Sequence, residues 1–174
     1  MAKTARKKTA PLDTPTDLSA TAVSQITMAL NGLLADTFAL YIKTKNFHWH
    51  VSGPHFRSYH LLFDEQAAEI YETAVPSAER VRNGVGSTLR SVGDVMRHQV
   101  VRDNDKDFVA PGDMLSELMQ DNKGVISRMR KAHEVCEKYK DVATASLLEN
   151  FIDAAEKRNW FLFEAGRSSD SSGH

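Results

Sequence analysis

The amino-acid sequence predicts an all-α protein in which four long helices form a bundle, with one long crossover connection between the second helix and the third. Apolar residues recur at intervals of three and four in four separate segments, which is the spacing of one helix face. No segment alternates apolar and polar residues as a half-buried strand would. A long polar stretch separates the second segment from the third, where a bundle of this kind places its crossover.

Length and composition indicate one globular domain with a basic tail. The 174 residues, 41% hydrophobic and 26% charged, are enough to bury a sizeable core. The net charge of −1 conceals an asymmetry, since the residues before the first acid, Asp13, include Lys3, Arg6, Lys7 and Lys8. Without these four, 18 basic residues face 23 acidic ones. Such an arm suits a polyanion such as DNA, although a disordered, solubilising terminus would have the same composition.

Cysteine content and hydropathy predict a cytoplasmic protein with no membrane role. The single Cys136 excludes an internal disulfide and is compatible with a reducing compartment. The basic start is not followed by an apolar run of the secretory kind. No stretch approaches the roughly 20 apolar residues that span a bilayer.

The first helix is expected over about residues 20–46, after a flexible tail at 1–18. Asp17 or Ser19 can cap its first turn. Its face is marked by Ile26, Leu30, Leu33, Thr37 and Tyr41. The sequence VSGP then ends this helix.

The second helix is expected to begin near Pro54, which suits a first helical turn, and to continue to about Arg82. Pro76 lies inside it and should kink it or free one carbonyl, because proline has no backbone N–H to donate. The sequence NGVG ends this segment.

The crossover should contain a short helix at about 87–97, followed by a polar loop that closes with a cap at Asp113. The third helix carries apolar residues on one face together with His133, which is expected in the core. Asp141 opens the turn to the fourth helix, and residues after Gly166 read as a disordered tail. The folded domain is thus predicted at 19–166 and the C-terminal tail at 167–174, in the arrangement called ferritin-like.

The candidate chemistry lies on the second helix and at the end of the first. His60 and Asp64 are four residues apart, so both share one helical face and could bind iron or zinc. One such pair on a surface helix is more often incidental. Glu79 lies roughly 22 Å further along the axis, so one helix cannot bring it to the same ion. A bundle with an internal di-iron site uses the motif Glu-x-x-His, and no Glu of this chain has His three residues later. The bundle centre is therefore expected to be dry.

A metal site between two subunits could combine His60 and Asp64 with a Glu79 that is too far away in the same chain. Two antiparallel copies of the second helix about a two-fold axis would bring His60 and Asp64 of one subunit against Glu79 of the partner subunit. His48, at the end of the first helix, could reach the same place.

The residues that carry this arrangement resemble a known family. The sequence HWHVSGPHF contains His48, and His60, Asp64 and Glu79 follow it by 12, 16 and 31 residues. This spacing, with STLRS in the crossover and RNWFLFE in the fourth helix, resembles the Dps family, the ferritin-like mini-ferritins named DNA-binding proteins from starved cells. The similarity spans about residues 20–165.

This resemblance implies a hollow homo-dodecamer with a ferroxidase centre at each subunit interface. The centre would oxidise Fe(II), preferably with hydrogen peroxide, and ferric mineral would be stored in the cavity, which protects DNA. His48, His60 and Asp64 match ligands from one subunit, and Glu79 matches the bridging carboxylate of its neighbour. Trp49 matches a tryptophan beside the centre that takes up oxidising equivalents, or it anchors the corner between the first two helices.

The match to the family has departures. Val75 stands where the family usually has an aspartate ligand, and Pro76 follows it, which implies one good iron position and one weak one. Tyr59 replaces a small aliphatic residue. His50 and His55 match no ligand and are read as structural or surface residues, with an auxiliary metal role as the alternative.

The sequence is therefore compatible with two functions. One is a peroxide-dependent ferroxidase and iron store, with Glu137 and Asp141 as candidates for acidic pores through which iron enters. The other is a nucleoid-associated, DNA-binding shell with weak or lost ferroxidase activity because of Val75. The basic tail fits either function. A plain helical interaction module explains neither the histidine spacing nor Glu79.

Overall fold

The computed structural model describes residue 12, residues 14–84 and residues 86–167. These residues form helices and connecting loops with no strand. The helices are α1 (Ala20–His50), α2 (Phe56–Glu72), α3 (Ala74–Asn83), α4 (Val92–His98), α5 (Pro111–Lys138) and α6 (Val142–Ala165). Within the described residues, no helix has the length and apolar character needed to cross a membrane.

The four long segments predicted from periodicity form the bundle. Helix α1 packs against α2, α3, α4 and α5, and α5 packs against α6. Helix α1 begins where the Ser19 side chain accepts a hydrogen bond from the amide of Ala22, as expected for an N-cap. It continues to His50, four residues beyond the predicted end, so His48 lies in its last turn.

The second predicted helix is interrupted at Thr73, which divides it into α2 and α3. Pro76 cannot donate to the carbonyl of Glu72, four residues earlier, and its ring crowds that carbonyl. The chain responds with a tighter turn, in which the amide of Thr73 donates to Ile70 O at 3.2 Å and its hydroxyl donates to the same oxygen at 2.8 Å. The disturbance predicted at Pro76 is thus a break in the helix at Thr73, three residues before the proline.

Asp36, which is fully buried in α1, binds the crossover to the bundle. Its Oδ1 accepts from the amides of Val100 and Val101 at 2.7 and 2.9 Å, and its Oδ2 accepts from Arg128 Nε at 2.7 Å. The short helix predicted at 87–97 begins five residues later, because Ser91 provides its N-cap.

The start of α5 differs from the prediction, whereas the start of α6 agrees with it. Helix α5 starts at Pro111 with Ala110 as its N-cap, so the cap predicted at Asp113 is wrong. Proline fits the first helical position because the missing N–H would have no partner there. Asp141 does cap α6, accepting from the amide of Thr144 at 3.1 Å.

The bundle centre is not dry, contrary to the expectation from apolar spacing. Arg158 of α6 is buried, and its Nε donates to Asn122 Oδ1 of α5 at 3.5 Å. Gln66 of α2 is also buried and donates to the Arg158 carbonyl at 3.1 Å. On the α1 side, the buried Lys43 binds Asp121 of α5 at 2.7 Å. The predicted core position of His133 is wrong as well, since it lies at the rim and pairs with exposed carboxylates.

Candidate metal centre

His48 and His60 lie face to face where α1 ends and α2 begins. Gly53, with φ of 98°, reverses the chain between the two helices in a left-handed conformation that favours glycine. The reversal brings the two imidazole rings into a stack with centroids 3.8 Å apart and planes 24° apart. The segment from His48 to His60 is therefore the end of one helix, a tight corner and the start of the next helix.

Each histidine is held by the backbone of the other. His48 Nδ1 lies 2.8 Å from the carbonyl oxygen of His60, and His60 Nδ1 lies 2.8 Å from the carbonyl oxygen of His48. A carbonyl can only accept, so Nδ1 carries the hydrogen in both rings. In the neutral rings the lone pair is then on Nε2, which is the tautomer that binds a metal, with the Nδ1–H bond fixing the orientation of the ring.

Asp64 lies one turn after His60 and adds a carboxylate beside the stacked rings. Its Oδ1 is 3.8 Å from His48 Nε2 and 2.5 Å from Lys45 Nζ. The hydrogen bond from Lys45 lowers the pKa of Asp64, partial desolvation opposes this, and the charges of Lys45, His48 and His60 lower the pKa further. The carboxylate is therefore ionised at neutral pH. Two imidazoles and one carboxylate are a ligand set that suits non-haem Fe(II).

Glu79 is not brought to these three residues within one chain. It is exposed on α3 and makes no ion pair or side-chain hydrogen bond with another described residue. Across the described part of the chain, no three His, Cys, Asp or Glu side chains converge closely enough to hold a metal ion. Val75, one turn before Glu79, is 57% exposed and presents an apolar side chain. The donor set of a single chain is incomplete.

The other candidate residues of the histidine-rich segment, Trp49, His50 and His55, lie apart from the ring stack. Trp49 is 62% exposed in the last turn of α1. His50 is exposed and its Nδ1 bonds the Asn46 carbonyl at 2.8 Å, within the last turn of α1. The His55 ring lies 5.6 Å from the ring of Tyr59. Neither His50 nor His55 faces the His48 and His60 rings through any contact among the described residues.

The two candidate pore residues have different environments. Asp141 is buried, accepts from the Thr144 hydroxyl at 2.5 Å and pairs with Arg80 Nη2 at 3.0 Å, so its carboxylate is already engaged. Glu137 is exposed, with one oxygen 3.7 Å from His133 Nδ1. The proposed DNA-binding residues Lys3, Arg6, Lys7 and Lys8 lie outside the described residues.

Sequence reasoning missed Lys45, the residue in closest contact with a predicted ligand. Lys45 precedes His48 by three residues on α1, so both lie on the same helix face. That spacing was the one sign in the sequence that Lys45 lies near the predicted ligands. Its contact with Asp64 depends on α2 packing against this face of α1, which only the folded chain shows.

Comparison with known proteins places the chain in a family. The sequence model of the ferritin-like domain family matches residues 27–165 of this chain. An uncharacterised low temperature-induced protein of Nostoc sp. is 31% identical over 76% of this chain and 75% of that protein. A DNA protection during starvation protein of Halobacterium salinarum is 32% identical over 75% of this chain and 72% of that protein.

The chain belongs to the Dps family of ferritin-like proteins. A solved structure of Dps from Thermosynechococcus elongatus agrees with this, since it superposes with a TM-score of 0.83 at 27% identity and covers 86% of this chain and 95% of its own. The six helices described above are thus a Dps bundle, with α2 and α3 together as its second long helix.

Proposed function

We propose that this Dps protein stores iron and protects DNA as a homo-dodecameric shell, oxidising Fe(II) at sites shared between subunits, preferably with hydrogen peroxide. The observation that carries the proposal is the pair of interlocked histidines whose Nδ1 atoms both bond backbone carbonyls, which leaves both Nε2 atoms for a metal beside Asp64. Iron is the substrate of this site, and the ferric product would be stored as mineral inside the shell.

The incomplete donor set supports a site shared with a second copy. Glu79 has no partner among the described residues, and a carboxylate held ready for a neighbour is what a two-fold site needs. Helices α1, α2 and α3, which carry the proposed ligands, also carry large apolar side chains that stay exposed in the single subunit, including Trp49, Phe56, Leu61, Tyr71 and Val75. Exposed apolar groups in this number are typical of an interface.

Each residue has a distinct role in the proposed reaction. His48 and His60 would bind Fe(II) through Nε2, since their Nδ1–H groups are committed to backbone carbonyls. Asp64 would add one carboxylate, and Glu79 of the partner subunit would close the site. Lys45 holds Asp64 before iron arrives, so an arriving cation must displace or share that contact. Trp49, adjacent to His48, would serve as a nearby electron donor or as the anchor of the corner.

The sequence features outside the bundle support the remaining parts of the proposal. Twelve basic tails on one shell would combine weak phosphate contacts into strong, salt-sensitive DNA binding without sequence preference. Iron would enter through acidic pores that involve Glu137, while the engaged carboxylate of Asp141 would mainly shape the turn. The protein would act in the bacterial cytoplasm, associated with the nucleoid.

A second candidate function is a DNA-binding shell whose ferroxidase activity is weak or lost. Val75 favours it because a valine cannot bind metal where a further carboxylate would complete a second iron position. The contact of Lys45 with Asp64 also favours it, since it places a competing cation on a ligand.

The two functions are separated by a rapid-mixing measurement of Fe(II) oxidation by hydrogen peroxide on the assembled protein. The test variant is His60→Ala/Asp64→Ala, and the matched control is His55→Ala, which removes a histidine of the same segment that contacts neither ligand. Oxidation that is fast in the wild type and the control but slow in the test variant supports the ferroxidase. Equal rates in all three mean that iron oxidises without this site, and the DNA-binding shell is then the better assignment.

A further inference from the structure

Helix α5 differs from the other five described helices in the side chains that it exposes. Each of the others carries at least one large apolar side chain that is exposed in the single chain, whereas α5 carries none. Its exposed residues include Lys123, Lys131 and Lys138, and none of these three forms an ion pair with another described residue. Large exposed apolar groups are typical of contacts between proteins, so the solvent side of α5 lacks the feature that marks α1, α2 and α3 as interface.

The three lysines form a row along one side of α5. Lys131 follows Lys123 by eight residues and Lys138 follows Lys131 by seven, and both intervals are close to two helical turns. The lysine row, defined by these three residues, is about 22 Å long and lies opposite the side that α5 buries in the bundle. Glu134 is the one acid that shares this side between Lys123 and Lys138.

Other carboxylates of α5 project away from the lysine row. Glu117 and Asp121 bind a buried lysine of α1 at 3.0 and 2.7 Å. Glu137, the candidate pore residue, precedes Lys138 by one position and therefore projects about 100° away around the helix axis. The row is thus net positive, and it is separate from the side of the helix that the proposed pore uses.

The start of the described chain lies beside the end of the lysine row. The Arg82 side chain donates to the Leu12 carbonyl at 2.6 Å, and the Thr14 hydroxyl donates to the Arg82 carbonyl at 3.2 Å. These two bonds attach residues 12–14 to the end of α3. Residues 16–19 then line a groove of about 490 Å³ together with residues 139–143, which form the turn that follows α5.

We propose that the lysine row, extended by the exposed Lys140 of this turn, is a second docking surface for the phosphate backbone of duplex DNA. The inference rests on the proposed DNA protection and adds a surface of the folded domain to the basic tail. Lys8 precedes Leu12 by four residues, and four residues of extended chain span at most about 14 Å. The tail and the row can therefore contact one duplex, and contacts to phosphates need no particular base sequence.

The two surfaces have different parts in DNA binding. Outside the tail, 18 basic residues face 23 acidic ones, so the body of the protein repels DNA and the row alone is too weak to retain it. Once the tail has bound, the row acts at a high effective concentration and adds its contacts to those of the tail. Three phosphate contacts should contribute about 2.7 to the slope of log affinity against log salt concentration.

The experiment titrates a labelled DNA duplex with the assembled, full-length protein at several salt concentrations. The test variant is Lys123→Gln/Lys131→Gln/Lys138→Gln. The matched control removes the same charge from exposed positions away from the row, in Arg102→Gln/Lys106→Gln/Lys157→Gln. A second measurement acetylates the lysines of the wild type with and without DNA and compares each site by mass spectrometry, so it needs no variant to fold.

We expect the test variant to bind DNA several-fold more weakly at low salt, with a salt slope smaller by about 2.7, while the control keeps the wild-type slope. DNA should protect the three lysines of the row from acetylation and leave Lys106 and Lys157 as reactive as before. A test variant with the slope of the control, or equal acetylation of the row with and without DNA, overturns this proposal alone if the wild type retains DNA. A wild type that retains no DNA at any salt concentration overturns the proposed DNA binding and this proposal with it.

Discussion

Lys45 donates a hydrogen bond from Nζ to Asp64 Oδ1 at 2.5 Å, across the seam between α1 and α2. The ammonium group therefore lies on the carboxylate that the proposed iron site needs, and the Asp64 pKa is lowered chiefly by this bond. The lowered pKa keeps the ligand ionised, while the contact itself competes with a metal. Lys45 thus has two opposite effects on metal binding, which a substitution can separate.

Lys45→Met should strengthen binding of a divalent metal several-fold at neutral pH, because Asp64 remains ionised there and loses its competitor. Co(II) is a suitable redox-inert probe, and titration calorimetry on the assembled protein measures its affinity. Lys123→Met, a substitution of an exposed lysine on α5, is the control and should leave the affinity unchanged. Weaker binding in Lys45→Met would mean that the lysine organises the site rather than competing for it.

Val75→Asp should speed Fe(II) oxidation by peroxide, because a carboxylate one turn before Glu79 adds a strong ligand to the weak iron position. Stopped-flow absorbance of ferric product gives the rate, and the number of Fe(II) ions oxidised in the first phase gives the occupancy. Val75→Asn is the matched control, since it has nearly the same shape as aspartate without the charge. An unchanged rate and occupancy in Val75→Asp would contradict the account of a site with one good position.

Deletion of residues 2–8 should abolish retention of DNA by the assembled protein at low salt. The deletion removes Lys3, Arg6, Lys7 and Lys8, and each lost phosphate contact reduces the dependence of binding on salt. Gel-shift titrations at several salt concentrations measure both effects. Removal of residues 168–174 is a control of similar length that takes away no lysine or arginine. Undiminished binding after the N-terminal deletion would assign DNA to another surface.

The long helices and the shared face of His60 and Asp64 were predictable because they depend on local spacing. Apolar periodicity located every long helix, and the i, i+4 spacing of His60 and Asp64 put them on one face. Pro76 predicted a disturbance of the second helix, which the structure shows as the break between α2 and α3. The start of α4 was missed because the Ser91 cap is one of several serines in that segment, and spacing alone does not select among them.

The polar interior and Lys45 could not be predicted because their partners lie far away in the chain. Arg158 is tolerated inside the bundle through Asn122 and Gln66 of two other helices, and no local pattern records those contacts. His133 shows that helical position alone can also place a residue in the core wrongly. It follows the apolar face of α5 by position, yet it lies at the edge of that face and binds Glu149 Oε1 at 3.0 Å.

Asp36→Ala should destabilise the subunit by about 3–5 kcal/mol, the cost typical of removing one partner from a buried charged network. The change leaves the amides of Val100 and Val101 without an acceptor and Arg128 without its carboxylate. The midpoint of urea unfolding at fixed protein concentration measures the effect. Asp17→Ala, at an exposed position just before α1, is the control. A loss no larger than in that control would mean that the crossover is held by packing alone.

Cys136 should make the stability of the folded protein fall as pH rises between about 9 and about 11. Burial raises the pKa of its thiol from 9.0 to about 11, with a smaller contribution from the nearby Asp141. Within this window the unfolded chain has released the thiol proton while the folded chain retains it, so higher pH favours unfolding. Below that window both states keep the proton, and the thiol has no effect on the pH dependence.

The measurement compares urea midpoints of the wild type and Cys136→Ala across that pH range. The variant loses some stability at every pH because alanine leaves a cavity, but the difference between the two proteins should shrink as pH rises. In the folded wild type at pH 8, the buried, protonated thiol should also resist iodoacetamide, which attacks only the thiolate. Rapid alkylation under those conditions, or a difference that does not change with pH, would show that the thiol ionises as freely in the folded chain as in the unfolded one.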